Sequence, residues 1–418
     1  MPLTAEQTNI TNAETIERVP EPISKLSQWV CDHALPFWQT RGRDAVFGGV
    51  HERLHWDGSA DLASPKRVRV QARQIYCYAH ATDLGWFDGI GFAGTTLDWL
   101  LEKAGSAGGR PGFAHVLHCD GSVADPLHDT YDHAFMLLAL AWYTKATGDS
   151  QARGLIGETL AFLDERLLCS DGSYREGLPP SLPRRQNPHM HLLEAMLALH
   201  ETIAYPGALD RAGRLRAMLT ERFLRPSPVL CEFFDDEWRP AADRAGRIVE
   251  PGHQAEWCWL LRRYERAAEL APDVLPSTLI DAAEATADPA TGFLIDEALS
   301  DGTPSRSSRR LWPQTEWVKA WLAEQRIGRR GADVKAAHAL TQLSAHYLGQ
   351  PLPGGWIDQM DEGGRPMVDT IPASTLYHVF AAAVEADATI DAARGHQSRA
   401  IRLTSSLIDP TTHPREGM

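Results

Sequence analysis

Residues 130–147, TYDHAFMLLALAWYTKAT, and residues 152–168, ARGLIGETLAFLDERLL, decide the fold. Each brings apolar side chains back every three or four residues, the period of an α-helix with a buried face. Four residues separate them, so they form a helical hairpin. The same spacing recurs in 24–38, 70–84, 189–203, 255–270, 315–327, 335–348 and 375–390. Gly/Pro/Asp-rich connectors lie between, such as EGLPPSLPRRQNP (176–188) and GQPLPGGWIDQMDEGGRP (349–366). Alternating strand patterns are few and short. GGVHERLHW (48–56), SVADPLH (122–128) and GGWIDQM (354–360) are expected as hairpins in the loops.

No linker separates independent units, and no consensus repeats as it would in a solenoid. The residues able to do chemistry gather at helix starts and in the connectors before them, as if the loops met at one mouth. The expected fold is all-α: an (α/α)6 barrel of about twelve helices with short hairpins in the loops. Residues 1–20 are expected as a flexible arm, 21–405 as a single catalytic barrel domain, and 406–418 as a tail.

A formal charge of −14 argues against nucleic-acid or anionic-membrane partners. No stretch approaches the roughly 18 apolar residues of a membrane span, and the first twenty residues lack the basic start and apolar run of a secretory signal. The expected location is the cytoplasm, and the expected state a monomer or homodimer. The six cysteines stand singly, without the spacing of a metal knuckle or disulfide scaffold.

Two distant histidines carry the chemical signal. His253 lies in EPGHQAEWCW, where Pro251-Gly252 mark a loop-to-helix junction, and Glu256 follows one turn later on the same face. A carboxylate so placed can orient the imidazole for acid/base work. His378 lies in PASTLYHVF and Arg73 in KRVRVQARQIY. Two proton carriers and a fixed cation suit proton abstraction beside a carbonyl, where an oxyanion develops. The bland readings are a packed histidine and an arginine in a structural ion pair. His189, His191 and Glu194 form HxHxxE, but positions two apart point about 200° from each other on a helix, so no metal site is expected. GIGFAG at Gly89–Gly94 has no preceding strand and is expected as a helix-linking turn rather than a dinucleotide loop. Of Trp56, Trp312 and Trp356, one or two are expected to line the site, and one of the pairs Arg184-Arg185 and Arg309-Arg310 to rim it.

Read together, these segments resemble the N-acylglucosamine 2-epimerase superfamily from about Gly48 to Ala382, with the motifs in family order. PASTLYH is closest to the mannose isomerase and sulfoquinovose isomerase branch. The resemblance places the catalytic arginine at Arg73 and further site residues in TYDHAF (Tyr131, His133), QNPHMHLLEA (Asn187, His191, Glu194), CEFFDDEW (Glu232) and RLWPQTEW (Trp312, Glu316). Asp358 joins this sugar-binding set, and His253, His378 and Glu256 are the family's catalytic positions. The chain departs from several relatives at Arg69, where they carry tryptophan, and at Ser374, where the sulfoquinovose enzyme has glutamine.

The resemblance implies a cofactor-free, metal-free aldose–ketose isomerase acting on unmodified mannose, and also on lyxose. His378 would move the proton between C2 and C1 through a cis-enediolate, His253 would assist ring opening and be oriented by Glu256, and Arg73 would stabilise the oxygen charge. A 2-epimerase needs nearly the same residues. An inverting glycoside hydrolase, with two carboxylates about 6.5–9.5 Å apart, and a non-catalytic sugar-binding protein are the readings from other classes.

Overall fold

A computed structural model describes residues 21–405, except 107 and 226–228, with side chains from Lys25 to Ile390. The expected arm and tail lie outside the described residues. The chain opens with one helical rod made of α1 (Glu21–Trp29), a wide turn, α2 (Leu35–Phe37) and a second wide turn to Gly42. Eleven further helices follow: α3 (Val68–Asp83), α4 (Ile90–Ala104), α5 (Thr130–Thr147), α6 (Ser150–Phe162), α7 (Asn187–Ile203), α8 (Ala208–Met218), α9 (Pro251–Ala267), α10 (Val274–Glu284), α11 (Leu311–Arg326), α12 (Ala332–His346) and α13 (Thr375–Ser405).

Burial sorts them into two rings. Along α3, α5, α7, α9 and α11 almost every residue is enclosed, whereas α4, α6, α8, α10 and α12 bury one stripe. The enclosed helices touch in the cycle α3–α5–α7–α9–α11–α13 and back to α3, so the inner ring closes. The others pack outside it, and α1 leans on α12 and α13. This is the expected (α/α)6 barrel of twelve helical rods. GIGFAG opens the outer helix α4, with no strand before it.

The short strands differ from expectation in a useful way. Val123–Asp125 pairs with Val116–Leu117 in a hairpin, and Leu54 and Met360 each bridge back across a tight turn to Ala60 and Pro366. Arg53–His55 also pairs with Thr370–Pro372, and Gln359–Met360 with Arg309–Arg310. Every pair of neighbouring inner helices has such a tie between the loops leading into them. The others are Lys66–Arg67 with Val116–Leu117, His128–Asp129 with Gly177–Leu178, Arg184–Arg185 with Phe233–Phe234, and Ile248–Val249 with Glu297–Leu299. Each tie satisfies backbone groups that an irregular loop would leave unpaired. Six ties make a hoop around one mouth of the barrel.

Candidate active site

The inner helices all start at that mouth, so their first turns face one another. They enclose a cleft of about 500 Å³, lined among others by Arg73, Tyr131, Asn187, His191, His253, Glu256, Trp312, Asp358 and His378. Nine of the thirteen expected site residues therefore meet in one cleft. Trp312 stands between the two histidines, with ring centroids 4.9 Å from His253 and 5.7 Å from His378. Trp356 is a core residue stacked on Trp38, and Trp56 packs against the core.

Three expected contacts lie behind the cleft. Glu232 accepts from His253 Nδ1 at 2.9 Å, Glu316 from His378 Nδ1 at 2.8 Å, and Glu194 from His191 Nδ1 at 3.0 Å. A carboxylate on Nδ1 fixes the ring's orientation and turns Nε2 away from it, toward the open side. The expected partnership of His253 with Glu256 is thus corrected. The carboxylate bonded to His253 comes from the loop before α9, and Glu256 projects instead into the cleft floor. His133 is corrected too. It is fully buried, with Nδ1 on the Asp129 carbonyl at 2.7 Å and Nε2 accepting from the Phe113 N–H at 3.3 Å. Two residues beyond Tyr131, it points to the far side of α5. His189 is its counterpart on α7, accepting from the Tyr174 N–H at 2.9 Å, well apart from His191.

The two cleft histidines sit in opposite fields. Burial alone would lower both. Around His253, Glu232 and Glu250 overcome that and raise it to about 10, the Glu250 carboxylate lying 3.7 Å away. Around His378, Arg73 and Lys319 add to burial and push it well below the usual histidine value. At neutral pH His253 is therefore charged and His378 neutral, a division that suits acid/base chemistry. His191 is also held neutral, lowered to about 4 mainly by burial.

Arg73 is 5% exposed and makes no ion pair among the described residues. Its Nη2 donates to the Tyr131 hydroxyl at 2.8 Å, its Nη1 to the Ser374 carbonyl at 3.4 Å, and its plane lies 4.2 Å from the Phe135 ring. An enclosed guanidinium with no carboxylate is a cation held for something that arrives. Asn187 likewise keeps its Oδ1 buried without a partner. Glu256 has no hydrogen-bond partner on either oxygen, and burial with Glu316 nearby pushes it far above the usual carboxyl range. Asp358 accepts from the Thr375 hydroxyl at 2.7 Å and is raised by burial.

One of the pairs Arg184-Arg185 and Arg309-Arg310 was expected at the rim; each pair supplies its second arginine, and Arg67 joins them unanticipated. Arg67, Arg185 and Arg310 are each the second residue of a short strand tying the hoop, so they alternate toward the cleft while Lys66, Arg184 and Arg309 turn inward and are buried. Glu52 pairs with Arg67, Glu176 with Arg185 at 2.6 Å, and Asp296 with Arg310 at 3.8 Å. Arg69 pairs with Asp132 at 3.2 Å. Glu250 also lines the cleft, and burial raises it to about 7. The spacing that drew attention to Glu256, three residues from His253, applies equally in the other direction and would have found Glu250.

A profile of the N-acylglucosamine 2-epimerase (GlcNAc 2-epimerase) family matches residues 48–382. A protein of Rhizobium meliloti (strain 1021) named mannose-6-phosphate isomerase is 32% identical over 379 residues, covering 86% of this chain and 95% of that protein. A D-mannose isomerase of Thermobifida fusca is 29% identical over 340 residues, 72% of this chain and 81% of its own length. In fold, the structure of cellobiose 2-epimerase from Spirochaeta thermophila DSM 6192 superposes with a TM-score of 0.80 at 24% identity, covering 91% of this chain and 99% of that one. With a match over residues 48–382, well over half of its length, the chain belongs to the N-acylglucosamine 2-epimerase family.

Proposed function

We propose that the chain is a cofactor-independent aldose–ketose isomerase that interconverts D-mannose and D-fructose, and also accepts D-lyxose. The observation that carries this reading is the opposed pair of histidines, one charged and one neutral, facing one cleft beside an unpaired arginine. His253 delivers a proton to the ring oxygen as the C1–O5 bond breaks, and the imidazole so freed takes the O1 hydroxyl proton, opening the sugar to its aldehyde. His378 Nε2 then takes the proton from C2. The electrons move into a C1–C2 double bond and onto O1, where Arg73 meets the charge. Return of that proton to C1, as the O2 hydroxyl proton passes to O1, gives the ketose. The apolar face of Trp312 offers a surface for the sugar ring between the two histidines.

The lining arginines other than Arg73 are already bound to carboxylates, and this favours an uncharged polyol over a phosphate. The name of the Rhizobium relative makes mannose 6-phosphate the necessary comparison. The test is incubation with each sugar in deuterated water, followed by NMR. Fructose with deuterium at C1 is expected. Glucose labelled at C2 would make the enzyme a 2-epimerase, the reading that the cellobiose 2-epimerase relatives favour. A tenfold preference in kcat/KM for mannose 6-phosphate would overturn the uncharged substrate. Hydrolysis of an aryl glycoside, or binding without turnover, would point to the other two classes.

A further inference from the structure

The two histidine–carboxylate pairs are built alike at the ring and differently behind it. The second contacts of Glu232 are neutral: the Gln186 side-chain amide at 2.9 Å and the Glu250 backbone N–H at 3.4 Å. Behind Glu316 stands a cation. Its second oxygen lies 2.5 Å from Lys319 Nζ, one turn on along α11. Lys319 has no solvent exposure, and its ammonium rests 3.6 Å from the centre of the Trp259 ring. An enclosed lysine is costly to bury unless a charge holds it there.

The groups facing His378 come from every element around it. Arg73 approaches from α3, His191 and Glu194 from α7, Glu256 from α9, Glu316 and Lys319 from α11, and Tyr377 precedes it on α13. Glu194 is held by His191 and by the Tyr377 hydroxyl at 2.5 Å. Glu256 and Glu316 are close enough to compete for a proton. Lys319 and His378 both contact Glu316 directly, whereas neither oxygen of Glu256 has a hydrogen-bond partner, so although burial raises both carboxyls the proton stays on Glu256. We propose that Lys319 is a positioning residue for the proton carrier: its ammonium keeps Glu316 an ionised acceptor for His378 Nδ1–H, leaving Nε2 bare toward the cleft and the ring without a second proton. Lys319, outside the cleft, then adds to Arg73 on the His378 side of the asymmetry between the two histidines.

This inference rests on the proton-transfer reading above, and a measurement without turnover separates their failures. In protein labelled with 15N-histidine, and with the His378 signal identified from a His378→Asn variant, the ring should stay neutral at pH 7. In Lys319→Met it should titrate at least one pH unit higher, because the ring becomes the only cation available to Glu316. The acid limb of kcat/KM should rise by the same amount, with KM changed less than threefold. An unmoved titration and an unmoved limb would overturn the proposal and leave Lys319 a structural residue. Should Lys319→Met fail to fold around its unpaired carboxylate, the double variant Glu316→Gln/Lys319→Met removes both charges. It should fold and lose at least tenfold in kcat/KM, whereas activity within threefold of wild type would mean that the pair only fills space.

Discussion

His253 and His378 are both enclosed imidazoles with a carboxylate on Nδ1, and only the next layer of charge distinguishes them. Replacing either with alanine should lower kcat by about 10²-fold or more with the fold retained, the usual cost of a positioned acid or base. Activity within tenfold of wild type would exclude that histidine as a proton carrier. Glu250 gives a signed test. Its carboxylate favours the imidazolium of His253, so Glu250→Gln should lower the pKa of that ring from about 10. The alkaline limb of the kcat/KM profile should therefore move to lower pH, and an unmoved or rising limb would exclude Glu250 from the field of His253. The histidines themselves were legible from their place at helix starts. Their carboxylates were not, because Glu232 approaches His253 from another loop and no spacing within one helix reveals that.

At the level of elements, the first turns of four inner helices share a device. Gln71 accepts the Val50 N–H at 2.7 Å, His133 that of Phe113 at 3.3 Å, His189 that of Tyr174 at 2.9 Å, and Gln314 that of Leu294 at 2.9 Å. Each pins the preceding loop to its helix. A buried N–H left without a partner costs about 1–3 kcal/mol, so His133→Ala should lower stability by about that amount while kcat stays within threefold. A loss of activity exceeding the loss of folded protein in denaturant titration would return His133 to the chemistry. This device is the repeat that a consensus search misses, since glutamine and histidine do the same work with different letters. Helical periodicity revealed the paired helices, and closure was read from chemical residues gathering at helix starts. The strands were harder, because ladder partners lie in neighbouring loops rather than beside each other in sequence.

Across the whole molecule, buried titratable groups set the pH range of stability. His133 and His191, lowered to about 4, and His189, lowered to about 3, are neutral when folded. Their contribution is present above pH 6.5 and is lost as pH falls through those values. Glu250, raised to about 7, acts in the opposite sense between about 4.5 and 7, and the buried carboxyls of Asp129, Glu176 and Asp358 are raised with it. His253 is raised to about 10, so its contribution is complete below 6.5 and lost as pH climbs toward 10. Tm should therefore decline as pH climbs above 6.5. His253→Gln should flatten the decline between pH 6.5 and about 8.5, below the range in which unfolded cysteines ionise. An unchanged slope in that variant would remove His253 from the account. The hoop of strand ties has its own consequence for assembly. Arg53–His55 and Thr370–Pro372 come from opposite ends of the sequence, and their pairing brings α13, with His378, against α3, with Arg73. Such a distant contact is slow to form. During synthesis a growing chain can complete most of its helical hairpins and still have only half of its cleft, which closes when the first and last inner helices meet.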